Sequence, residues 1–164
     1  MIFAYPEMFV YSAKDKLGIA YEYATSTLRY SIDEFQDIFL SSGVDEEFEA
    51  GNVEIILGMS GYELVNYILR RSGSSTTVVC FNKIKPKAHM STYYAGSSAA
   101  LFQSYSGLSF KDIHKYLPMS YIETFVDGLL SDEEVVDILS KEMGRRKYKN
   151  NFNLLPLLFK NTYF

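Results

Sequence analysis

Apolar positions along this chain recur at intervals of three and four, and many of the recurrences begin just after a serine. Over residues 7–29, Met8, Tyr11, Ala20, Tyr23, Ala24 and Thr27 form one stripe with charges between them. Over 31–42 the stripe is Ile32, Phe35, Phe39 and Leu40, and Gly43 follows as a C-terminal stop. Residues 60–72 give Tyr62, Leu64, Val65, Ile68 and Leu69, closed by Arg70, Arg71 and Gly73. Residues 131–144 give Val135, Val136, Ile138, Leu139 and Met143, with Gly144 as the end. This is helical spacing throughout.

The serines explain where the helices begin. Five Ser-x-x-acid boxes occur: Ser31 with Glu34, Ser60 with Glu63, Ser109 with Asp112, Ser120 with Glu123, and Ser131 with Glu134. In such a box the serine hydroxyl accepts from a free first-turn amide. The acid reaches back to the cap amide and favours the positive helix end. One match means little; five, each leading into an apolar pattern, predict an all-α bundle of about six to eight helices.

Three stretches depart from the pattern. "SGSSTTVVCFNKIKPK", residues 72–87, reads as a connector with a short extended segment near 76–82. "STYYAGSSAALFQSYSGLSF", residues 91–110, carries no Asp, Glu, Lys or Arg. As a helix over about 91–106 it sets Tyr94, Ser98, Leu101 and Tyr105 on one side. Ala95, Ala99, Phe102 and Ser106 lie beside them. No face is charged, so a central helix surrounded by protein is expected, rather than an exposed recognition strip. It is too polar for a membrane span. "NNFNLLPLLFKNTYF", residues 150–164, is too apolar for a free tail, and Pro156 predicts an extended arm or a broken helix. The expected organisation is one helical domain over 1–149, with halves 1–72 and 91–149 joined by 73–90, followed by the arm.

Composition narrows the class. A chain of 164 residues can bury a real core, and 48% hydrophobic with 22% charged residues is globular. The 14 Tyr and 12 Phe suit a core with polar tips or a surface that meets a partner. The net charge of −4 argues against broad nucleic-acid or anionic-membrane binding. Cys80 is the sole cysteine, which excludes an internal disulfide and fits a reducing, cytoplasmic setting. The first residues lack a basic region before their apolar stretch, so no signal peptide is expected.

Candidate chemistry is sparse. "GMSGYE", residues 58–63, fails the G-x-S-x-G pattern because position 62 is Tyr, and Ser60 already serves as a cap. His89 and His114 are the only histidines. With no H-x-x-x-H or C-x-x-C, neither a metal nor a cofactor is expected. His114 reads as a surface or partly buried helix residue and Cys80 as a small core residue. Asp45-Glu46-Glu47-Phe48-Glu49 lacks the alternation of a calcium loop and reads as a solvated turn. Two basic spots remain: Lys83, Lys85 and Lys87, and Arg145, Arg146, Lys147 and Lys149. No enzyme is expected, and no catalytic residue is assigned.

Three stretches resemble a family of uncharacterised bacterial and phage proteins encoded near toxin–antitoxin-like genes. They are "GIAYEYATSTLRYSIDEFQDIFLSSGVDEEFEAGN", "GMSGYELVNYILRR" and "STYYAGSSAALFQSYSGLSFKDIHKYLPMSYI". The resemblance spans roughly residues 17–143, and its motifs are structural. In many relatives a Cro/repressor-type helix-turn-helix follows this region. The residues after Gly144 are too few for one here, and Gly96, Ser97 and Ser98 stand where relatives carry bulkier residues.

The resemblance implies a protein-binding inhibitor or antitoxin-like neutraliser. Its partner would be a toxin, or a defence nuclease such as a CRISPR enzyme if the chain is a phage-borne anti-defence protein. Acidic charge would favour a target with a nucleic-acid groove. Phe152, Leu155, Leu158, Phe159 and Tyr163 are the expected partner-binding residues. The arm is expected to dock on its own helices and close the core; docking on a twin subunit, as a homodimer, or on the target is the alternative. The alternative is a transcription-linked regulator that touches DNA through Arg145, Arg146, Lys147 and Lys149.

Overall fold

Serine caps and apolar stripes become helices much as the pattern predicts. The computed structural model describes residues 4–74 and 90–159, with side chains through Lys149. Within them run α1 (Glu7–Ser26), α2 (Ile32–Ser42), α3 (Val44–Glu49), a π-helical turn (Glu54–Gly58), α4 (Gly61–Arg71), α5 (Met90–Ser106), α6 (Phe110–Tyr116), α7 (Met119–Ile122) and α8 (Asp132–Phe159). The fold is all-α, and the described residues contain no strand. The extended segment expected near 76–82 lies outside the described residues, as do Cys80 and His89.

The boxes at Ser31 and Ser60 form in full, each serine accepting from the third-residue amide at 3.2 Å. Ser131 caps α8 in the same way, with Glu134 Oε2 taking the Ser131 amide at 2.8 Å. Ser109 accepts from the Asp112 amide at 3.0 Å, but its hydroxyl donates to the Asp112 carboxylate. Ser120 is not a cap. Pro118 starts α7 before it, and the Ser120 amide donates to Asp33 at the N-terminus of α2. Gly43 ends α2 in a left-handed conformation (φ 75°), which glycine adopts without steric cost, and α3 begins at once.

α1 and α5 form the centre of the bundle. They run antiparallel: Thr25 meets Thr92 at 3.0 Å, Asp15 meets Tyr93, and the Ala4 amide donates to the Ser104 carbonyl. A β-carbon on Gly96 would stand 2.5 Å from the Leu17 carbonyl oxygen, and one on Gly18 would stand 2.8 Å from the Tyr93 ring. The helices touch backbone to backbone only because these positions are glycine. α5 is buried over most of its length, as its lack of charge predicts.

The stripe on α1 is corrected. Val10, Ala13, Leu17, Ala20, Tyr21 and Ala24 face the core, whereas Met8 and Tyr11 are 79% exposed. Below this pair, Phe39, Phe48 and Phe110 join α2, α3 and α6 edge to face, with centroids 5.2–6.4 Å apart. The buried apolar side chains of α1 to α8 make one core cluster.

α8 is also corrected. Gly144 does not end it, and it continues past residue 149 and through Pro156 to Phe159. Gly144 does not take the positive φ that would cap the helix, and a proline withdraws one amide while flanking residues keep theirs. Of the expected arm residues, Phe152, Leu155, Leu158 and Phe159 thus belong to a helix backbone, and Tyr163 lies outside the described residues.

Candidate functional site

The charge-free helix α5 is covered on most sides but leaves one face partly open. That face carries Tyr94, Ser98, Leu101 and Tyr105, the side already marked out by its spacing. α1 forms one wall, with Val10, Tyr11, Lys14 and Asp15. The other wall is the α7–α8 loop and the first turns of α8, with Asp127, Gly128, Leu130, Asp132 and Val135. Two adjoining cavities of about 290 and 180 Å³ share Tyr11, Lys14, Leu101 and Asp132 and form one groove.

Its walls are held by specific contacts. Lys14 forms an ion pair with Asp132 across the groove. Tyr93 donates from Oη to Asp15 Oδ1 at 3.0 Å and meets Tyr94 edge to face at 5.5 Å. Burial, then the Asp15 carboxylate, pushes the Tyr93 hydroxyl up to about 12, so it stays a donor. Gly128 lets the loop cross Tyr94, since a β-carbon there would lie 2.3 Å from the Tyr94 hydroxyl. Tyr11, 79% exposed, stands on the α1 wall, and two further exposed apolar residues adjoin lining residues in the chain: Met8 beside Glu7, and Leu129, 92% exposed, between Gly128 and Leu130. Exposed apolar and aromatic side chains around a partly apolar groove are what protein interfaces use.

The basic spot on α8 is built differently. Arg145 donates to Tyr121 Oη at 2.9 Å and to Glu142 Oε2 at 2.7 Å. Arg146 donates to the Tyr116 carbonyl at 3.0 Å, and its guanidinium stacks 3.5 Å from the Tyr121 ring centroid. Lys147 lies 5.3 Å from the Tyr116 ring, and Lys149 is exposed. Both arginines thus fasten α8 to α6 and α7. The structure brings these four residues together, but two of them are already engaged.

Buried polar groups collect around α3 and α6. Asp45 is corrected from a solvated residue to a fully buried one, because α3 turns it under α6. Its carboxylate oxygens have no hydrogen-bond partner; Lys111 stands 3.9 Å away and is drawn to Glu46 at 2.6 Å. Burial pushes the Asp45 carboxyl up, opposed chiefly by Lys111. Glu49 is also drawn in from the acidic run, taking the Phe110 amide at the start of α6. His114 is corrected too: it is buried, its Nδ1 donates to the Leu117 carbonyl at 3.0 Å, and its Nε2 is unpartnered. Burial lowers His114 to about 4, so the ring is neutral.

Ser60 accepts the Glu63 amide as a cap. Among the described residues no group of His, Cys, Asp and Glu is arranged to hold a metal ion. No helix there is long and apolar enough to cross a membrane. The groove's contribution from Tyr11 and from residues 127–133 escaped the sequence reading. A signal existed: Met8 and Tyr11 lie off the Val10–Ala13–Leu17 stripe, and one helix rarely needs two apolar faces. Comparison with family models, curated proteins and solved structures found no match to this chain.

Proposed function

We infer that this chain is a non-enzymatic protein-binding module that acts as an inhibitor or antitoxin-like neutraliser of its partner. One observation carries the reading: the α1–α5–α8 groove, walled by exposed Tyr11 and floored by Leu101, Tyr94 and Tyr105, with exposed Met8 and Leu129 next in the chain to its lining residues. Large side chains at the rim of a concave surface supply anchors at low ordering cost. A module of this kind blocks a partner by occupying its working surface, and the fitting targets are a toxin or a defence nuclease in the cytoplasm. DNA contact through Arg145, Arg146, Lys147 and Lys149 is the weaker reading, because both guanidinium groups are committed within the chain.

The test places a photo-crosslinking residue at position 11 or 129 of the full chain in its native host. A control stands at Arg70, which is exposed on α4. One adduct species, formed from 11 and 129 but not from 70, is expected. The purified partner should then lose activity with the wild-type chain and keep it with Tyr11→Ala. Adducts spread evenly over the three positions would sink the reading. So would a biological effect that survives Tyr11→Ala but disappears on neutralising Lys147 and Lys149.

A further inference from the structure

The groove carries a charge distribution that its apolar floor does not require. Glu7, Lys14 and Asp15 face it from α1, Asp127 from the α7–α8 loop, and Asp132 and Glu133 from α8. α5 contributes no charge. Five carboxylates therefore surround one ammonium. Glu7, Asp132 and Glu133 stand in first helical turns, where the helix end favours an acid whatever the function. Asp15 and Asp127 stand away from helix ends; one oxygen of each takes a local donor, the Tyr93 hydroxyl and the Leu129 amide, and the carboxylate charge of both still faces the groove. Glu7 and Glu133 form no ion pair among the described residues. Four tyrosines, Tyr11, Tyr93, Tyr94 and Tyr105, line the same groove, and aromatic faces attract cations.

We propose that the occupant of this groove is a cationic segment of the partner protein. Its Arg or Lys heads meet the carboxylate rim, and their aliphatic stems lie over the tyrosine rings. This rests on the protein-binding reading above and names the chemistry of the partner. The chain's own Lys14 shows how such a group seats: its stem passes between α1 and α8, and its ammonium reaches Asp132. The Asp132 side chain is 56% exposed, so an incoming guanidinium has open access to it. Lys14 is the covered partner, 21% exposed, and Asp132 the open one, so the incoming cation joins Lys14 at the Asp132 carboxylate more readily than it expels it. Arginine suits the site better than lysine, since its planar head both stacks on tyrosine and pairs with a carboxylate in two bonds. An acidic segment would meet five like charges and a single ammonium already paired.

Two labelled peptides test this on the full chain by fluorescence anisotropy. They share length and leucine positions; one carries Arg and the other Glu at the remaining positions. The Arg peptide should bind about tenfold more tightly or better, and its affinity should fall as salt rises. Tyr11→Ala and Glu133→Lys should each weaken it by about fivefold or more, roughly 1 kcal/mol. Circular dichroism verifies that both variants are folded. Equal binding of the two peptides overturns the proposal. So does Arg-peptide binding that ignores both substitutions, which would assign it to the general negative charge of the chain. Failure of the peptide test with crosslinking intact at positions 11 and 129 leaves the protein-binding reading standing and rejects only the cationic occupant. Failure of both rejects both.

Discussion

His114 is a helix residue that gains its character from burial. Its Nδ1 proton is held by the Leu117 carbonyl, its ring stacks on Phe110 at 5.9 Å, and its Nε2 meets no donor. The folded state therefore resists a second proton, and its pKa is lowered to about 4 from an ordinary value of 6.5. The sign follows from linkage. The unfolded chain protonates His114 first, so stability present above pH 6.5 is lost as pH falls towards 4. The loss should approach about 3 kcal/mol for this group and should be absent in His114→Gln. Urea melts at several pH values read it out. Asp45 works in the opposite direction. Its raised pKa means that its contribution is complete at acid pH and is lost as pH rises through the folded value. Asp45→Asn should therefore stabilise the protein at pH 7, and the gain should shrink as the pH is lowered. A destabilised Asp45→Asn at pH 7 would show that the carboxylate is paired.

The helices respond differently to the same substitution according to what lies beside them. At Gly96, in the crossing of α1 and α5, an added methyl group meets the Leu17 backbone at 2.5 Å, and backbone cannot rotate away. Gly96→Ala should destabilise by about 2 kcal/mol or more. Gly144, in α8, has nothing within 4 Å of a β-carbon and no positive φ. There alanine should stabilise by about 0.5–1 kcal/mol, as it does in helix interiors. The pair is a check on α8 as well as on the crossing, because a helix that ended at Gly144 in a left-handed cap would be weakened by alanine. Thermal melts of the two variants should move in opposite directions.

On the scale of the molecule, the antiparallel pair α1 and α5 is the frame against which α2, α4, α7 and α8 pack. α4 meets α1 through Gly61 over Ile19, the end of α7 meets α5 through Glu123 and Ser91 at 2.6 Å, and α8 packs beside α5 with Val136 and Leu101 both lining the groove. α7 is tied to α2 by the Met119 amide on Gln36 Oε1 at 2.7 Å. Amides of α5 between Ala95 and Ser104 should therefore exchange hydrogen only on global opening, and most slowly of all. Those of residues 147–149, with exposed side chains at the edge of the packed body, should exchange much sooner. Hydrogen exchange followed by mass spectrometry measures both. Fast exchange in α5 would mean that the bundle is organised around another pair. The groove belongs to this scale as well, since its walls come from residues 7–15, 93–105 and 127–136.

What the sequence determined by itself is local. Ser31, Ser60 and Ser131 with their acids start helices because a cap needs only the residues of one turn. The uncharged run of α5 is covered over most of its length because it carries no charged face to turn towards water. Its Tyr94–Ser98–Leu101–Tyr105 side is visible from helical spacing alone. Ser120 shows the limit of a local rule, since Pro118 begins the turn two residues earlier and places the serine inside it. The tertiary structure decided everything that depends on which elements meet. It chose Val10, Ala13 and Leu17 over Met8 and Tyr11 as the buried stripe of α1. It buried Asp45 and His114, whose neighbours leave them short of partners, and it demanded glycine at position 96. It also turned one side of α5, a stripe of α1 and an acidic loop into a single groove. Burial and charge at a residue are sums over neighbours distant in the chain, and no period of three or four encodes which neighbours those are.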